Sequence, residues 1–447
     1  MPQMKQFHDP KLSIWQSAVD EVVAKQTAGV QTQAVGGVPV ISGRPDGNQF
    51  MIQDSASYCT AVDQGTPLPD LAPGQAATEG LAQTLGYCSL SALKLAKAFI
   101  VGQQQDQDHL KLEFAKFGGC NPGYVEAAAK YAEYFIAQGK KIPYRVYKNL
   151  GDFVIEGKLP DSAKIAIVGD WGTGQDPAKA LLKQIADQQP DVVVHLGDVY
   201  YSGTDFETLN YFYNPWTQIL NLSNQPKPTY TLAGNHDMYC GGVPYYNLID
   251  KLGQPASYFC LRNANWQFLA MDTGLHDCNP GAAGEGATFL EDTEVAWLKD
   301  KVDQAGARRT VLLSHHQLFT AYEAIDGNEV NMRLYAQVSS FLPKTSLWLW
   351  GHEHSFVVYG PFMGLERGRC IGHGGFPVGA SEGPVKAQFP DVPVITQDSS
   401  GNPISLGSSG GLNNHGYAMM AIEGPSATVA YYQDSDPDHP LFEEQIT

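Results

Sequence analysis

Residues 163–198 read AKIAIVGDWGTGQDPAKALLKQIADQQPDVVVHLGD. Ala163–Val168 is a short apolar run that stops at Gly169-Asp170, and Asp191–Leu196 is a second that stops at Gly197-Asp198. Between them Asp176-Pro177 opens a segment with apolar residues at helical spacing, which ends before Pro190. Short apolar runs bounded by turn residues suit buried strands, and the middle segment suits a crossover helix. Strand, helix and strand in this order predict a parallel pair. Further runs follow. Thr229–Ala233 ends in Gly234-Asn235-His236-Asp237, and Trp266–Met271 ends in Asp272. A helix over about 292–305 leads to Arg309–Leu313, which ends in Ser314-His315-His316. Ser346–Trp350 ends in Gly351-His352-Glu353-His354. Gly416–Ile422 and Ala427–Tyr432 flank EGPS and predict a closing hairpin, while the Gly/Ser/Pro-rich stretch 376–412 reads as a long loop.

Residues 1–160 read differently. Segments 11–26 and 89–102 have helical spacing, and NPGYVEAAAKYAEYFIAQG at 121–139 has a capping Asn121, a first-turn Pro122 and an exit Gly139. Pro/Gly joints such as TPLPDLAPGQ at 66–75 separate them. The expectation is a mostly helical accessory domain over 1–160 and an α/β domain over 161–447.

The chain has 447 residues, 43% of them hydrophobic and 17% charged, which is a globular composition. No segment has the apolar length to span a bilayer. The N-terminal MPQMKQFHDPKL has no apolar core of a secretory signal, which reads as cytoplasmic unless the sequence lacks its natural leader, so the compartment stays open. Lys plus Arg is 29 against 47 for Asp plus Glu, a net charge of −18. That field repels nucleic acid and anionic membranes, so neither is an expected partner. A phosphate-bearing substrate therefore needs concentrated positive charge, which metal ions would supply. The seven cysteines are odd in number and lack a CxxC, so they read as buried or free thiols.

Position decides the functional reading. Successive strands end in Asp, Asp, Asn-His, His-His and His-x-His, and open α/β sheets place ligands at the carboxyl ends of their strands. Eight of the twelve histidines fall between 195 and 373. Asp, Asn, His and Tyr are oxygen and nitrogen donors that suit Fe, Zn or Mn, and no cysteine stands at these strand ends. The ligands are too many for one ion. A carboxylate bridging two ions about 3.5–4 Å apart serves in-line displacement at phosphorus.

These residues resemble the five ordered blocks of the calcineurin-like metallophosphoesterases. The blocks are Gly169-Asp170-Trp171-Gly172, Gly197-Asp198-Val199-Tyr200-Tyr201, Gly234-Asn235-His236-Asp237, Leu313-Ser314-His315 and Gly351-His352-Glu353-His354. The branch they most resemble is that of the purple acid phosphatases, with the pattern DxG, GDxxY, GNH(D/E), VxxH, GHxH. Gly172 stands where the wider superfamily has a histidine, and Tyr201 stands where this branch supplies a tyrosinate. Leu312 replaces the Val of the fourth block. The resemblance covers roughly 161–432 and implies an αββα sandwich of mixed sheets flanked by helices. It implies that Asp170, Tyr201 and His354 hold a first metal, with ferric iron favoured there. It implies that Asn235, His315 and His352 hold a second metal (Fe, Zn or Mn) and that Asp198 bridges both. His236 would contact phosphate or protonate the leaving oxygen, and a metal-bound hydroxide would attack phosphorus.

The implied function is a dinuclear-metal hydrolase of small-molecule phosphoric esters, acid-phosphatase-like. The alternatives are a phosphodiesterase or nucleotide pyrophosphatase on the same metals, and a non-catalytic binding protein that keeps the fold. The last would show lost ligands, and all seven are present. Singly, each residue has a plainer reading. Gly-Asp after a strand is often a turn or helix cap, and a lone tyrosine is more often core. His195, inside a strand, reads as a hydrogen-bonded core residue. His316 and His373 are candidates for the pocket, and His8, His109, His276, His415 and His439 read as surface or loop residues.

Overall fold

The computed structural model describes residues 32–35, 38–41, 141–220, 227–278, 287–380 and 387–447. The helices expected over 11–26, 89–102 and 121–139 lie outside the described residues. Within the N-terminal region β1 (Thr32–Val35) and β2 (Val38–Ile41) form an antiparallel pair of their own.

The strands β3 (Val154–Ile155), β4 (Ser162–Val168), β5 (Val192–His195), β6 (Thr229–Thr231), β7 (Phe259–Arg262), β8 (Trp266–Ala270), β9 (Arg309–Leu313), β10 (Thr345–Trp350), β11 (Phe356–Tyr359) and β12 (Gly368–Ile371) follow in chain order. The short β13 (Ser408–Ser409) and β14 (Leu412–Asn413) precede β15 (Gly416–Glu423), β16 (Ser426–Gln433) and β17 (Phe442–Ile446). One sheet has six strands in the order β17-β16-β15-β4-β5-β6, and another has seven in the order β11-β12-β10-β9-β8-β7-β3. Both are mixed. β4, β5 and β6 are parallel, as are β8, β9, β10 and β12, while the closing hairpin β15–β16 adds antiparallel strands.

Alternation along the strands shows what packs on each face. Ile165 and Ile167 of β4 join one apolar cluster with Phe268, Val311, Leu313, Leu347 and Leu349 of the other sheet, so the two sheets stack face to face. Ala166 and Val168 point the opposite way, to α1 (Asp176–Asp187). That helix buries Ala178, Leu181, Leu182 and Ile185, a single stripe at i, i+3, i+4 and i+7. On the outer face of the seven-stranded sheet Leu269, Leu312, Trp348 and Trp350 pack with Trp297, Leu298 and Val302 of a helix over Asp292–Asp303 and with Leu334 and Val338 of one over Met332–Val338. The architecture is therefore the expected αββα sandwich. Strands covered on both faces read as continuous apolar runs, which is why they were visible in the sequence.

At one edge Arg369 of β12 grips Glu444 of β17, with Nε and Nη2 at 2.8 and 2.7 Å, and so ties one sheet to the other. Residues 141–160, read from sequence with the N-terminal extension, also belong to this packing. β3 pairs in parallel with β7, the Trp297 indole donates to the Asp152 carbonyl at 3.0 Å, and the Tyr144 hydroxyl donates to Glu294 at 3.0 Å. The sandwich thus begins N-terminal to residue 161. Among the described residues Cys260, Cys278 and Cys370 are free thiols, and no helix is long and apolar enough to cross a membrane.

Candidate metal centre

Parallel pairing brings the strand ends together. Val168 of β4 pairs with His195 of β5, which pairs in turn with Thr231 of β6. The turns Gly169-Asp170, Gly197-Asp198 and Gly234-Asn235 therefore leave one end of one sheet. Leu313 of β9 pairs with Leu349 of β10, so His315 and His352 leave the facing end of the other. The turns are tight. Asp170, Asp198 and His352 have positive φ of 56°, 76° and 65°, a conformation costing roughly 1–2 kcal/mol for an L-residue. Two glycines allow close approach. A Cβ on Gly234 would lie 2.1 Å from Asp198 Oδ1, and one on Gly351 would lie 2.4 Å from Asp170 Oδ2.

One group of donors surrounds His315. Its Nε2 lies 3.0 Å from Asn235 Oδ1, 3.3 Å from His352 Nδ1 and 3.3 Å from Asp198 Oδ2. The other ring nitrogen faces the Leu196 carbonyl at 3.0 Å, which makes Nδ1 a donor and aims Nε2 at the group. The Asn235 amide nitrogen donates to the Tyr239 hydroxyl at 2.6 Å, which turns Oδ1 inward. A second group forms around Asp170. Its Oδ1 lies 3.4 Å from His354 Nε2, and one ligand atom each of Asp170, Asp198 and His354 lies within 4.8 Å of the others. Asp170 Oδ2 accepts from the His352 backbone N–H at 2.8 Å, so the two groups share backbone as well as Asp198. Oxygen and imidazole donors in this arrangement fit a pair of hard or borderline cations.

The electrostatics point the same way. Burial disfavours a charged imidazole, but the Asp198 and Asp170 carboxylates outweigh it and push His315 up to about 9. Burial likewise opposes ionised Asp198, yet His315 and His236 hold it well below the usual carboxylate range. Buried carboxylates that draw positive charge so strongly suit a cation.

Residues expected from sequence fall as follows. Asp170, Asp198, Asn235, His315, His352 and His354 converge as described. His236 is buried, with Nδ1 2.7 Å from the Tyr201 carbonyl and Nε2 4.0 Å from Asp198 Oδ2, and burial lowers its pKa. The tyrosine hydroxyl brought to Asp170 and His354 is that of Tyr200, at 2.9 Å from each, where the sequence reading expected Tyr201. Tyr201 meets the site through its carbonyl and through its ring, 5.5 Å from that of His236.

His316 packs its ring 4.3 Å from that of His352 and binds Asp277 at 3.0 Å and Thr273 at 3.1 Å. His195 is a core residue on Thr231 at 2.9 Å, between Phe212 and Trp216. His373 is buried against Phe356; the aromatic wall of the site comes instead from Phe376 of the same GHGGFP stretch, stacked 4.0 Å over His354. His415, expected at the surface, is buried, and His276 is half-buried, stacked on Phe289 at 3.8 Å. His439 is exposed, and His8 and His109 lie outside the described residues.

Sequence reading missed two clamps. Asp237 accepts from the backbone N–H of Asp198, Val199 and Gly234 at 2.9, 3.2 and 2.8 Å. Glu207 accepts from the N–H of Tyr201, Ser202 and Thr204 at 2.5, 3.2 and 2.9 Å. Asp237 had a signal in its place within Gly234-Asn235-His236-Asp237, whereas Glu207 had only a capping-box spacing from Thr204.

Residues 163–356 match the family model described as calcineurin-like phosphoesterase. No curated protein matches the chain significantly. Among solved structures the chain is similar to GAP50, the anchor in the inner membrane complex of Plasmodium, at 11% identity and a TM-score of 0.42, covering 64% of this chain and 89% of that one. It is also similar to a dimetal phosphatase from Danio rerio at 12% identity and a TM-score of 0.40, covering 64% and 98%. Residues 163–356 are thus similar to a calcineurin-like phosphoesterase domain.

Proposed function

We propose that the chain hydrolyses small-molecule phosphoric esters at a two-metal centre, as a phosphomonoesterase of the purple acid phosphatase type. The observation that supports this reading most is the place of Asp198 between two donor groups, one with Asn235, His315 and His352 and one with Asp170 and His354. Asp170, His354 and a tyrosine hydroxyl would hold ferric iron, Asn235, His315 and His352 would hold Fe, Zn or Mn, and Asp198 would bridge. When bound, such a pair supplies the positive charge that clamps phosphoryl oxygens and acidifies an attacking water. A net charge of −18 makes that local charge necessary for an anionic substrate.

The chain's own groups do the rest. The Tyr201 carbonyl holds His236 Nδ1 at 2.7 Å, which fixes the ring and directs Nε2 toward the metal cleft. From there Nε2 can bind a phosphoryl oxygen or give a proton to the departing alcohol. Tyr200, Tyr201 and Tyr239 wall the ring.

The test is metal analysis of purified protein reloaded with Fe, Zn or Mn, joined to a panel of phosphomonoesters and phosphodiesters. The expected result is two metals per chain and preferred turnover of monoesters. Preferred turnover of diesters would move the assignment to a phosphodiesterase. Two bound metals with no turnover of either class would leave a binding protein.

A further inference from the structure

The end of β8 gives no ligand atom to either donor group. Just past it, Met271 N–H donates to the Leu313 carbonyl at 2.9 Å, so the segment Asp272–Cys278 leaves the sheet beside Ser314-His315-His316. The segment is a tight turn. Leu275 N–H donates to Asp272 Oδ1 at 3.0 Å, and Asp277 N–H donates to the Gly274 carbonyl at 3.1 Å.

This turn meets the surroundings of His315 on two sides. A Cβ on Gly274 would lie 2.5 Å from the Gly234 carbonyl oxygen and 2.7 Å from that of Ala233, so the turn lies directly against the one that carries Asn235. On the other side it holds His316. Thr273 Oγ1 accepts the His316 backbone N–H at 3.0 Å and lies 3.1 Å from its Nδ1, while Asp277 Oδ2 lies 3.0 Å from its Nε2. The Ser314 hydroxyl donates to the His316 carbonyl at 2.7 Å. Thr273, His316 and Asp277 are all buried.

These bonds decide what His316 can do. An imidazole has two nitrogens, and here each faces a partner in the protein. No nitrogen of His316 is left for a cation while the bonds stand. Its ring instead lies 4.3 Å from that of His352 and 4.8 Å from that of His315. A histidine that binds a metal ordinarily has its far ring nitrogen held by a carboxylate or a carbonyl. His315 has this support from Leu196. His352 aims Nδ1 at His315, and among the described residues its other ring nitrogen has no hydrogen-bond partner. The direction of the His352 ring therefore depends on what packs against it, and His316 is the fixed surface there.

We propose that Asp277 is a positioning residue for the second metal: with Thr273 it fixes His316, and the fixed His316 ring holds His352 in its ligating direction. The proposal rests on the two-metal reading above.

The experiment strips the full-length protein with a chelator and titrates it with cobalt(II), whose visible bands report ligand geometry, while calorimetry reads the affinities. The wild type is expected to take up two ions. Asp277→Ala should weaken one of them by about 10–100-fold, the usual loss for a support behind a metal ligand, and alter the bands of that ion alone. Asp277→Asn removes the charge and keeps a side-chain partner for His316 Nε2, so it should bind both ions as the wild type does. Circular dichroism and unchanged binding of the other ion show that Asp277→Ala is folded. Native affinities and native bands in Asp277→Ala overturn the proposal. So does Asp277→Asn failing as Asp277→Ala fails, since charge rather than the bond to His316 then carries the effect. Both results leave the two-metal reading standing. A wild type that takes up no cobalt and turns over no phosphate ester removes that reading and the proposal with it.

Discussion

One oxygen of the Asp237 carboxylate accepts the backbone N–H of Asp198 at 2.9 Å and that of Gly234 at 2.8 Å. The two turns that carry Asp198 and Asn235 are thereby locked to each other by a side chain that touches neither expected metal position. The partner oxygen accepts Val199 N–H at 3.2 Å, so both carboxylate oxygens are engaged. Asp237→Asn turns one of these contacts into a donor facing a donor. We expect a folded variant, less stable by about 1–3 kcal/mol, as for a buried donor left without its acceptor. Metal affinity should fall about 10–100-fold, as for lost supports of metal ligands. Chemical denaturation and metal titration check this, and native affinity would show that the turns hold their spacing without the clamp.

Asp198→Asn acts on the shared carboxylate itself. A neutral amide is a poor bridge between two cations, so turnover should vanish and metal content should fall at both positions. Elemental analysis beside an ester assay decides it. Two metals per chain with near-native activity would refute the bridging role.

His236→Ala should leave the metals in place, since the ring contacts Asp198 only at 4.0 Å and is otherwise held by the Tyr201 carbonyl. Turnover should fall by about 10²–10⁴-fold, the usual worth of a general acid. The loss should be smaller for esters of acidic alcohols such as nitrophenol. An equal loss across leaving groups would reassign His236 to phosphate binding.

Glu294 allows a test of stability against pH away from the metal ligands. It is fully buried, accepts from Asp272 N–H at 2.9 Å and from the Tyr144 hydroxyl at 3.0 Å, and faces Asp272 and Glu291 as further acids. Burial first, then Asp272, holds its pKa well above the ordinary glutamate value. The unfolded chain ionises this group near its ordinary value while the folded chain keeps it neutral. Its contribution is therefore complete below about pH 4 and is lost as pH rises from there toward the raised folded value, at about 1.4 kcal/mol per unit. Glu294→Gln should flatten this decline, so that the variant gains on the wild type as pH rises from 5 to 8. Melting temperatures at matched pH measure the gain, and parallel curves for the two proteins would contradict it.

Much of this molecule was legible in its residues. β4, β5, β9 and β10 are covered on both faces, so each reads as an unbroken apolar run, and each run stops at a Gly-Asp, a Ser-His or a Gly-His. Parallel pairing then obliges those ends to meet, which is why Asp170, Asp198, Asn235, His315, His352 and His354 could be grouped before any coordinates. The glycines at 234 and 351 belong to the same local logic, since each faces a carboxylate across a turn.

What the chain order did not reveal lies in contacts between segments far apart. β3 is two residues long and joins the sheet only by pairing with β7 more than 100 residues later, so residues 141–160 carried no strand signal of their own. His415 is buried because the closing hairpin folds against the rest of the sandwich, although its neighbours read as loop. Phe376, rather than His373, walls the site because the GHGGFP stretch turns Phe376 over His354. Tyr200 and Tyr201 are chemically identical neighbours, and composition and spacing cannot say which hydroxyl faces Asp170. Glu207 gripping the N–H groups of 201, 202 and 204, and His236 gripping the carbonyl of 201, set the direction of that peptide. Sequence alone thus determined which chemical groups stand at the strand ends, because burial and pairing are repeated over many residues. The tertiary structure decided which way single side chains point, because that depends on a few hydrogen bonds from distant elements.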